Sequence, residues 1–489
     1  MRIAKLLWSE TSRTVWLLLG AAALVLAFLG TGELWTHEGR WAAICLKMMQ
    51  TGNYVHPYHF SEPYYDKPLL TYWIMIGFGR VLGFNEWAMR LPTALSAVLA
   101  VWCTYRLGAR LFDRATGLLA GWILASCGMF VFQGRVAASD MMNLCGIIAA
   151  VAWYFERRER PGWTSHLVFW LILAVGCQTK GLVCAAVAIL VLLPDLLSGR
   201  RWRTHLKPSL FLTALPALAI YLVPFLLSKM HPDPSYQESG LAQVFRENIK
   251  RFFDAYDHRD PPYLYLIWIP VYLLPWTALL PFAIWRAARR WKTLGPSSRW
   301  VVWAVALIFL FFTASTSRRP YYILPILPFA ALMIADWIRP TEESRLKLRA
   351  AATVAGLACF GILAWYCVCI PYSLRFGGFR RFAADVRVAA EARAPWQEWT
   401  VILVDVSPHS AFYLRTGKEP VNFDLAKPDE VTKALQRHPR AILVTRRKIL
   451  PQVKAILGRE VPTVYLSPRL PPFLRTVQSD EDAAVALIP

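Results

Sequence analysis

Charge is scarce in this chain: of 489 residues only 18% are charged, while 56% are hydrophobic. A soluble protein of this length cannot cover its surface with so little charge, but a polytopic membrane protein needs no such cover. The same figures exclude disorder, a collagen-like repeat and a secreted disulfide scaffold. Metal-ligand spacing is also missing. Among the nine cysteines, Cys103, Cys127, Cys145, Cys177, Cys184, Cys359, Cys367 and Cys369 lie inside apolar runs and read as small buried apolar residues. The C-terminal region contains neither G-x-G-x-x-G nor a P-loop, so nucleotide binding is not supported. No internal repeat with matching broken helices, of the kind common in transporters, is visible.

Acidic residues are the scarcer sign, 32 against 54 Lys and Arg, for a net charge of +22. That surplus does not form a groove for nucleic acid. It clusters between apolar runs, at Arg106/Arg110/Arg114, Arg157/Arg158/Arg160, Arg200/Arg201/Arg203 and Arg286/Arg289/Arg290/Lys292. Such clusters mark cytoplasmic loops under the positive-inside rule.

Spans of roughly 20 apolar residues are expected of transmembrane helices. Candidates fall near 14–32, 92–112, 116–134, 140–155, 165–179, 181–198, 208–228, 262–285, 300–316, 321–338 and 350–371, about 11 in all. The 165–198 pair reads equally as one run broken at Lys180-Gly181. The first span follows Arg2, Lys5 and Arg13 and lacks a small-x-small cleavage site, which favours an uncleaved helix over a signal peptide. An inner N-terminus places every basic cluster in the cytoplasm. It places loops 33–90 and 229–261 outside, with everything after 372. The expected fold is therefore a polytopic α-helical membrane domain, 1–371, followed by a small extracytoplasmic α/β domain, 372–489. In the latter, strand-length runs (401–406, 441–445, 463–466) alternate with helical patterns near 379–393, 428–438 and 449–457. Its simplest reading is a passive outer cap.

The first outer loop is too long and too aromatic to be a mere connector. It places His37 and Glu38 just after a span, and Asp66 and Lys67 just before an aromatic helical stretch. Asp140 sits at the outer end of the fourth span, Lys180-Gly181 interrupts an apolar run, and Arg318-Arg319-Pro320-Tyr321-Tyr322 opens the tenth span against the positive-inside trend. Ionisable groups at membrane depth are costly, so they face a cavity and pair. Acids and a histidine opposite fixed cations suit transfer at a phosphate leaving group: the acids manage the nucleophile's proton, the cations bind charge developing on phosphate oxygens.

Ordered motifs sharpen this. The chain runs His37-Glu38-Gly39-Arg40-Trp41, Thr51-Gly52-Asn53, Asp66-Lys67-Pro68 and Asn85-Glu86-Trp87-Ala88-Met89-Arg90-Leu91-Pro92. It continues with Gly134-Arg135 to Asp140, Thr179-Lys180-Gly181, His258-Arg259-Asp260, Leu274-Pro275-Trp276 and Ser317-Arg318-Arg319-Pro320-Tyr321-Tyr322. Over about 15–340 this order resembles the protein O-mannosyltransferase and aminoarabinose (lipid A) transferase family, integral membrane glycosyltransferases of the GT-C fold. The resemblance implies transfer of one sugar, with inversion, from a polyprenyl-phosphate carrier to a lipid, glycan or protein acceptor on the outer face of the inner membrane. Its first-loop acidic pair maps to His37-Glu38, with His where the family has Asp. Either His37 is the general base, or Glu38 is and His37 orients it. Lys67 matches the lysine that contacts carrier phosphate, Arg40 and Arg319 are supporting cations, and Asp140 matches an acidic cavity position. Asp66 replaces the family Glu. With His258 it forms a possible zinc site, although two ligands fall short of a zinc signature and no cofactor is required. Tyr321 and Tyr322 orient ligands or belong to an interfacial aromatic belt. The alternative from another class is a transporter or flippase of a lipid-linked solute, whose charges would occupy both sides of the midplane.

Overall fold

The structure is a computed structural model that describes residues 10–60, 62–64, 66–235, 240–339, 344–375, 377–406, 409–423, 428–458, 461–466 and 483–488. The chain divides into two compact units. One comprises Met1–Ala27, Asp66–Ile74 and Arg90–Leu363, and the other Phe28–Tyr65, Met75–Met89 and Ala364–Pro489.

The first unit is helical. Its helices start where chain chemistry allows. Pro208 and Pro296 sit at the first positions of Pro208–Met230 and Pro296–Ala314, where a missing N–H costs nothing. Asp113 caps Arg114–Ala125 by accepting the Thr116 N–H at 2.8 Å. The Arg135 guanidinium donates to the carbonyls of Leu24, Val25 and Ala27, closing the end of Glu10–Leu26 as a cation should. Helices occupy the segments in which spans are expected, yet among the described residues four are long and apolar enough to cross a membrane unaided: Pro208–Met230, Pro296–Ala314, Pro320–Ile338 and Arg345–Ser373. A fifth is gained if Arg114–Ala125 and Gly128–Gly134, bent by 71°, count as one. The rest fall short for physical reasons. Glu86–Leu111 carries Glu86, Arg90, Arg106 and Arg110, and the expected 262–285 span is split into Leu264–Tyr272 and Leu279–Arg289. The run 165–198 breaks after Lys180 into Trp163–Lys180 and Val183–Leu197. Large apolar side chains such as Phe211, Leu215 and Leu357 stand exposed on these helices, as a surface meeting hydrocarbon requires.

The second unit combines helix Thr36–Thr51 and the short antiparallel pair Tyr58–His59/Glu62–Pro63 with a five-stranded sheet. Strands lie in the order Val421–Phe423, Thr400–Val404, Ala441–Arg446, Ala484–Leu487, Thr463–Tyr465; the first three are parallel and the last two join antiparallel. Thr400–Val404 is buried throughout, which explains its unbroken apolar run. Alternation still sorts its side chains: Val401 and Leu403 pack with Phe382, Val386 and Phe60, whereas Ile402 and Val404 pack with Val431 and Val453. Phe60 comes from the first loop, so that loop supplies part of the core beneath the sheet.

Candidate active site

In the first unit, helices Asp140–Arg157 and Trp163–Lys180 are joined by a short turn and pack antiparallel, so the start of one meets the end of the other. Asp140 in a first turn and Lys180 in a last turn each suit the local helix dipole, and the two side chains form a largely buried ion pair. The Lys180 ammonium also lies 4.5 Å from the Tyr322 ring centroid and 5.8 Å from that of Tyr321. Gly181 follows at φ +116°, a conformation open to glycine, and a Cβ there would lie 2.5 Å from Asn248 Oδ1. That oxygen accepts the Leu182 N–H at 2.7 Å, pinning segment 246–250 to the helix break. The pinned segment is a π-helical turn, Arg246–Lys250.

Lys67, Lys180 and Arg251 line one cavity of about 340 Å³ together with Glu247 and Tyr322. Its remaining wall is mostly apolar, including Phe252, Phe311 and Phe312. Arg251 is buried. It donates to Glu247 at 2.6 Å, to Asp257 at 2.9 Å and to Ser317 at 3.2 Å. Asp257 in turn lies 3.3 Å from His258 Nε2, and His258 Nδ1 lies 2.7 Å from an Arg319 guanidinium nitrogen. An arginine cannot accept a hydrogen bond, so Nδ1 is the acceptor and Nε2 carries the proton toward Asp257. Burial, with the Arg319 charge adding to it, holds His258 below its ordinary range, in keeping with this neutral tautomer; the Asp257 carboxylate opposes the shift. Burial and the nearby Arg251 guanidinium likewise push the Lys67 ammonium downward. Lys67 also donates to the Asp66 carbonyl at 3.2 Å.

Thus Lys67, Lys180 and Tyr322 meet in one hollow, Asp140 and Tyr321 join through Lys180, and Arg319 joins through His258. Glu247, Arg251 and Asp257 escape a reading by motif. For Glu247 and Arg251 the sequence signal was their i,i+4 spacing. For a metal, both ring nitrogens of His258 are engaged, and no three His, Cys, Asp or Glu side chains gather among the described residues. The Asp66–His258 pair does not fit a zinc centre. The arrangement suits an anionic head on an apolar body: Lys67, Lys180 and Arg251, with Glu247, share one cavity with the phenyl rings.

His37, Glu38 and Arg40 belong to the second unit, on helix Thr36–Thr51. Glu38 is fully buried and its Oε2 accepts the Trp35 N–H at 3.3 Å, capping its own helix. His37 is half-buried, its ring 5.9 Å from that of Trp35, and the Arg40 guanidinium lies 5.2 Å from the Tyr64 ring centroid. Burial, helped by the Arg40 charge, pushes neighbouring His59 down to about 4.

Residues 66–227 match the family described as dolichyl-phosphate-mannose-protein mannosyltransferase. Curated relatives include the undecaprenyl phosphate-alpha-4-amino-4-deoxy-L-arabinose arabinosyl transferases of Erwinia tasmaniensis and Pseudomonas fluorescens. The first is 29% identical over 336 residues, covering 67% of this chain and 59% of the relative. The second is 30% identical over 372 residues, covering 71% and 63%. The chain therefore spans about three fifths of the length of such relatives. Among solved structures, ArnT from Cupriavidus metallidurans bound to undecaprenyl phosphate matches at TM-score 0.75 and 19% identity, over 98% of both chains. The archaeal oligosaccharyltransferase AglB from Archaeoglobus fulgidus matches at TM-score 0.52 and 10% identity, over 92% of this chain and 71% of that one. Motif order, family match and fold agree in what the chain is similar to: the protein O-mannosyltransferases and aminoarabinose transferases, with the fold of the solved ArnT.

Proposed function

We propose that this protein is an inverting glycosyltransferase that moves a sugar from a polyprenyl-phosphate carrier to an envelope acceptor, a lipid A-like lipid, a glycan or a protein. The observation that carries the reading is the cavity that Lys67, Lys180 and Arg251 line together with a mostly apolar wall. A carrier phosphate needs such cations as it departs, and its tail gains about 0.8 kcal/mol for each buried CH₂. The names of the relatives, which specify an undecaprenyl phosphate sugar, point the same way. The acceptor attacks the anomeric carbon opposite the leaving phosphate, and its proton passes to the His37-Glu38 pair, assigned by motif. An acceptor that is itself an ionised phosphate needs no strong base, which would account for His at the first position. Arg40, Arg319, Asp66, His258 and Tyr321 are assigned to binding and orientation. The lysines and arginines neutralise the phosphate, so the scheme requires no metal.

In the bilayer we propose the orientation that the basic loops dictate, with the N-terminus inside and residues 372–489 outside the inner membrane. A direct test is to incubate the purified full-length protein with an undecaprenyl-phosphate-linked sugar and a lipid A acceptor, and to follow free undecaprenyl phosphate. Release should occur with wild type, and Lys67→Met or Arg251→Met should each lower it by about a hundredfold, the usual cost of one transition-state donor. Turnover untouched in both variants would reject this cavity as the site.

A further inference from the structure

A second cavity, of about 260 Å³, lies at the opposite end of helix Asp140–Arg157 from Asp140, against the start of Trp163–Lys180, the end of Val183–Leu197 and the start of Pro208–Met230. Its wall is mostly apolar and aromatic, and several of its polar atoms are spent. Trp153 donates to the Ser165 carbonyl at 2.9 Å, Trp170 to the Leu210 carbonyl at 2.8 Å, and the Tyr154 hydroxyl to Asp195 at 2.8 Å. His166 differs. It is 4% exposed, its Nδ1 lies 2.9 Å from Ser209 Oγ, and its Nε2 has no hydrogen-bond partner among the described residues although the ring lines the cavity. A buried polar atom left alone is costly, and one on a ring that lines a hollow points to a place for a ligand.

Charge at the mouth narrows the chemistry. The turns at this end, 156–163 and 198–208, hold seven Lys and Arg against two Glu. Glu159 is taken by Arg201 at 2.9 Å, and Asp195 by Arg158 at 2.8 Å. Arg157 lines the cavity with its guanidinium 5.0 Å from the Trp153 ring centroid and has no carboxylate partner among the described residues. We propose that this cavity binds a membrane phospholipid with an anionic headgroup. One acyl chain fills the apolar slot and the phosphate pairs with Arg157. An ester carbonyl accepts a hydrogen bond from His166 Nε2–H, the tautomer being set by a Ser209 hydroxyl that donates to Nδ1. Such cationic clefts between helix ends attract acidic lipids from the adjoining leaflet.

To test this, full-length protein stripped of lipid is titrated with phosphatidylglycerol, phosphatidylcholine, undecaprenyl phosphate and inorganic phosphate, with occupancy read by native mass spectrometry and the melting shift by fluorescence. Phosphatidylglycerol should bind about tenfold more tightly than phosphatidylcholine, and inorganic phosphate should give no shift. His166→Leu, which keeps the bulk but not the donor, should weaken phosphatidylglycerol about tenfold while leaving undecaprenyl phosphate, which has no ester carbonyl, unchanged. Arg157→Gln should erase the preference between the two phospholipids. Equal affinity for both phospholipids, an equal shift with inorganic phosphate, or full phosphatidylglycerol affinity in His166→Leu would each overturn the site. If His166→Leu does not fold, Ser209→Ala takes its place under the same criterion.

Discussion

A lysine binds phosphate only while protonated, and at Lys67 burial and the charge of Arg251 both work against the proton. Glu247 and Asp66 oppose that shift without cancelling it. The Lys67 ammonium therefore loses its charge as pH rises through a value below the 10.5 of an ordinary lysine. Carrier affinity should fall with rising pH earlier than an exposed lysine would permit. Lys67→Arg supplies a guanidinium that does not titrate in this range, so it should flatten the alkaline limb even if its fork fits the phosphate less well. Titration of undecaprenyl phosphate between pH 7 and pH 10 checks this, and parallel curves for the two proteins would show that Lys67 does not meet the phosphate. Residue-level chemistry was partly legible in advance. The ordered motifs mark Lys67, Asp140 and Lys180 because cations and acids stand out in apolar runs. Arg251 lies in a polar loop, where one more arginine carries no contrast, and its role rests on burial that sequence does not display.

At the scale of elements, helix Phe379–Glu391 shows how the second unit is joined. A helix begins with amides that lack intrahelical partners, and here the Glu33 carboxylate accepts the N–H groups of Phe379 and Arg380, both at 2.8 Å. Gly378 makes the approach possible: its φ is +139°, and a Cβ would lie 2.6 Å from Glu33 Oε1. From the same turn Arg380 reaches Glu86 at 2.7 Å, and Glu86 also accepts from the Tyr413 hydroxyl at 3.0 Å. The Tyr413 oxygen accepts the Leu34 N–H at 2.7 Å. Glu33 stands four residues before His37, so the cap fixes the entry to the motif-bearing helix. Glu33→Gln should cost about 1 kcal/mol, the worth of a charged cap, and Gly378→Ala about 2 kcal/mol, because a strained backbone is added to the clash. Amide exchange over 379–391 reads this directly. About fivefold faster exchange is expected for Glu33→Gln and more for Gly378→Ala, and unchanged exchange in both would mean the cap contributes nothing.

On the scale of the whole molecule, the sequence reveals what repeats locally and hides what pairs at long range. Apolar length locates the helices, yet charges at helix ends and the break after Lys180 leave four among the described residues, or five with the bent pair, that qualify as spans by themselves. Strand-length apolar runs foretell Thr400–Val404, Ala441–Arg446 and Thr463–Tyr465. Val421–Phe423 is too short, and centred on Asn422, to register, and Ala484–Leu487 reads as small residues near a terminus. Least visible is the partnership of the first loop with the C-terminal fold, since its hydrogen bonds link residues 294 to 379 positions apart. That partnership changes what residues 372–489 are as a folding unit. Phe60 enters the core formed by Phe382, Val386 and Val401, and Glu33, Leu34 and Glu86 satisfy polar groups around Arg380 and Tyr413. Removing them uncovers apolar surface and orphans the helix start together. A small sheet domain has little stability to spare for such losses. Residues 372–489 expressed alone should therefore show poorly dispersed amide spectra and melt without a cooperative transition, and joining residues 28–65 and 75–89 through flexible linkers should restore both. A sharp, reversible melt from the C-terminal piece by itself would mean that its sheet and two flanking helix layers suffice, and that the first loop merely rests on a domain already complete.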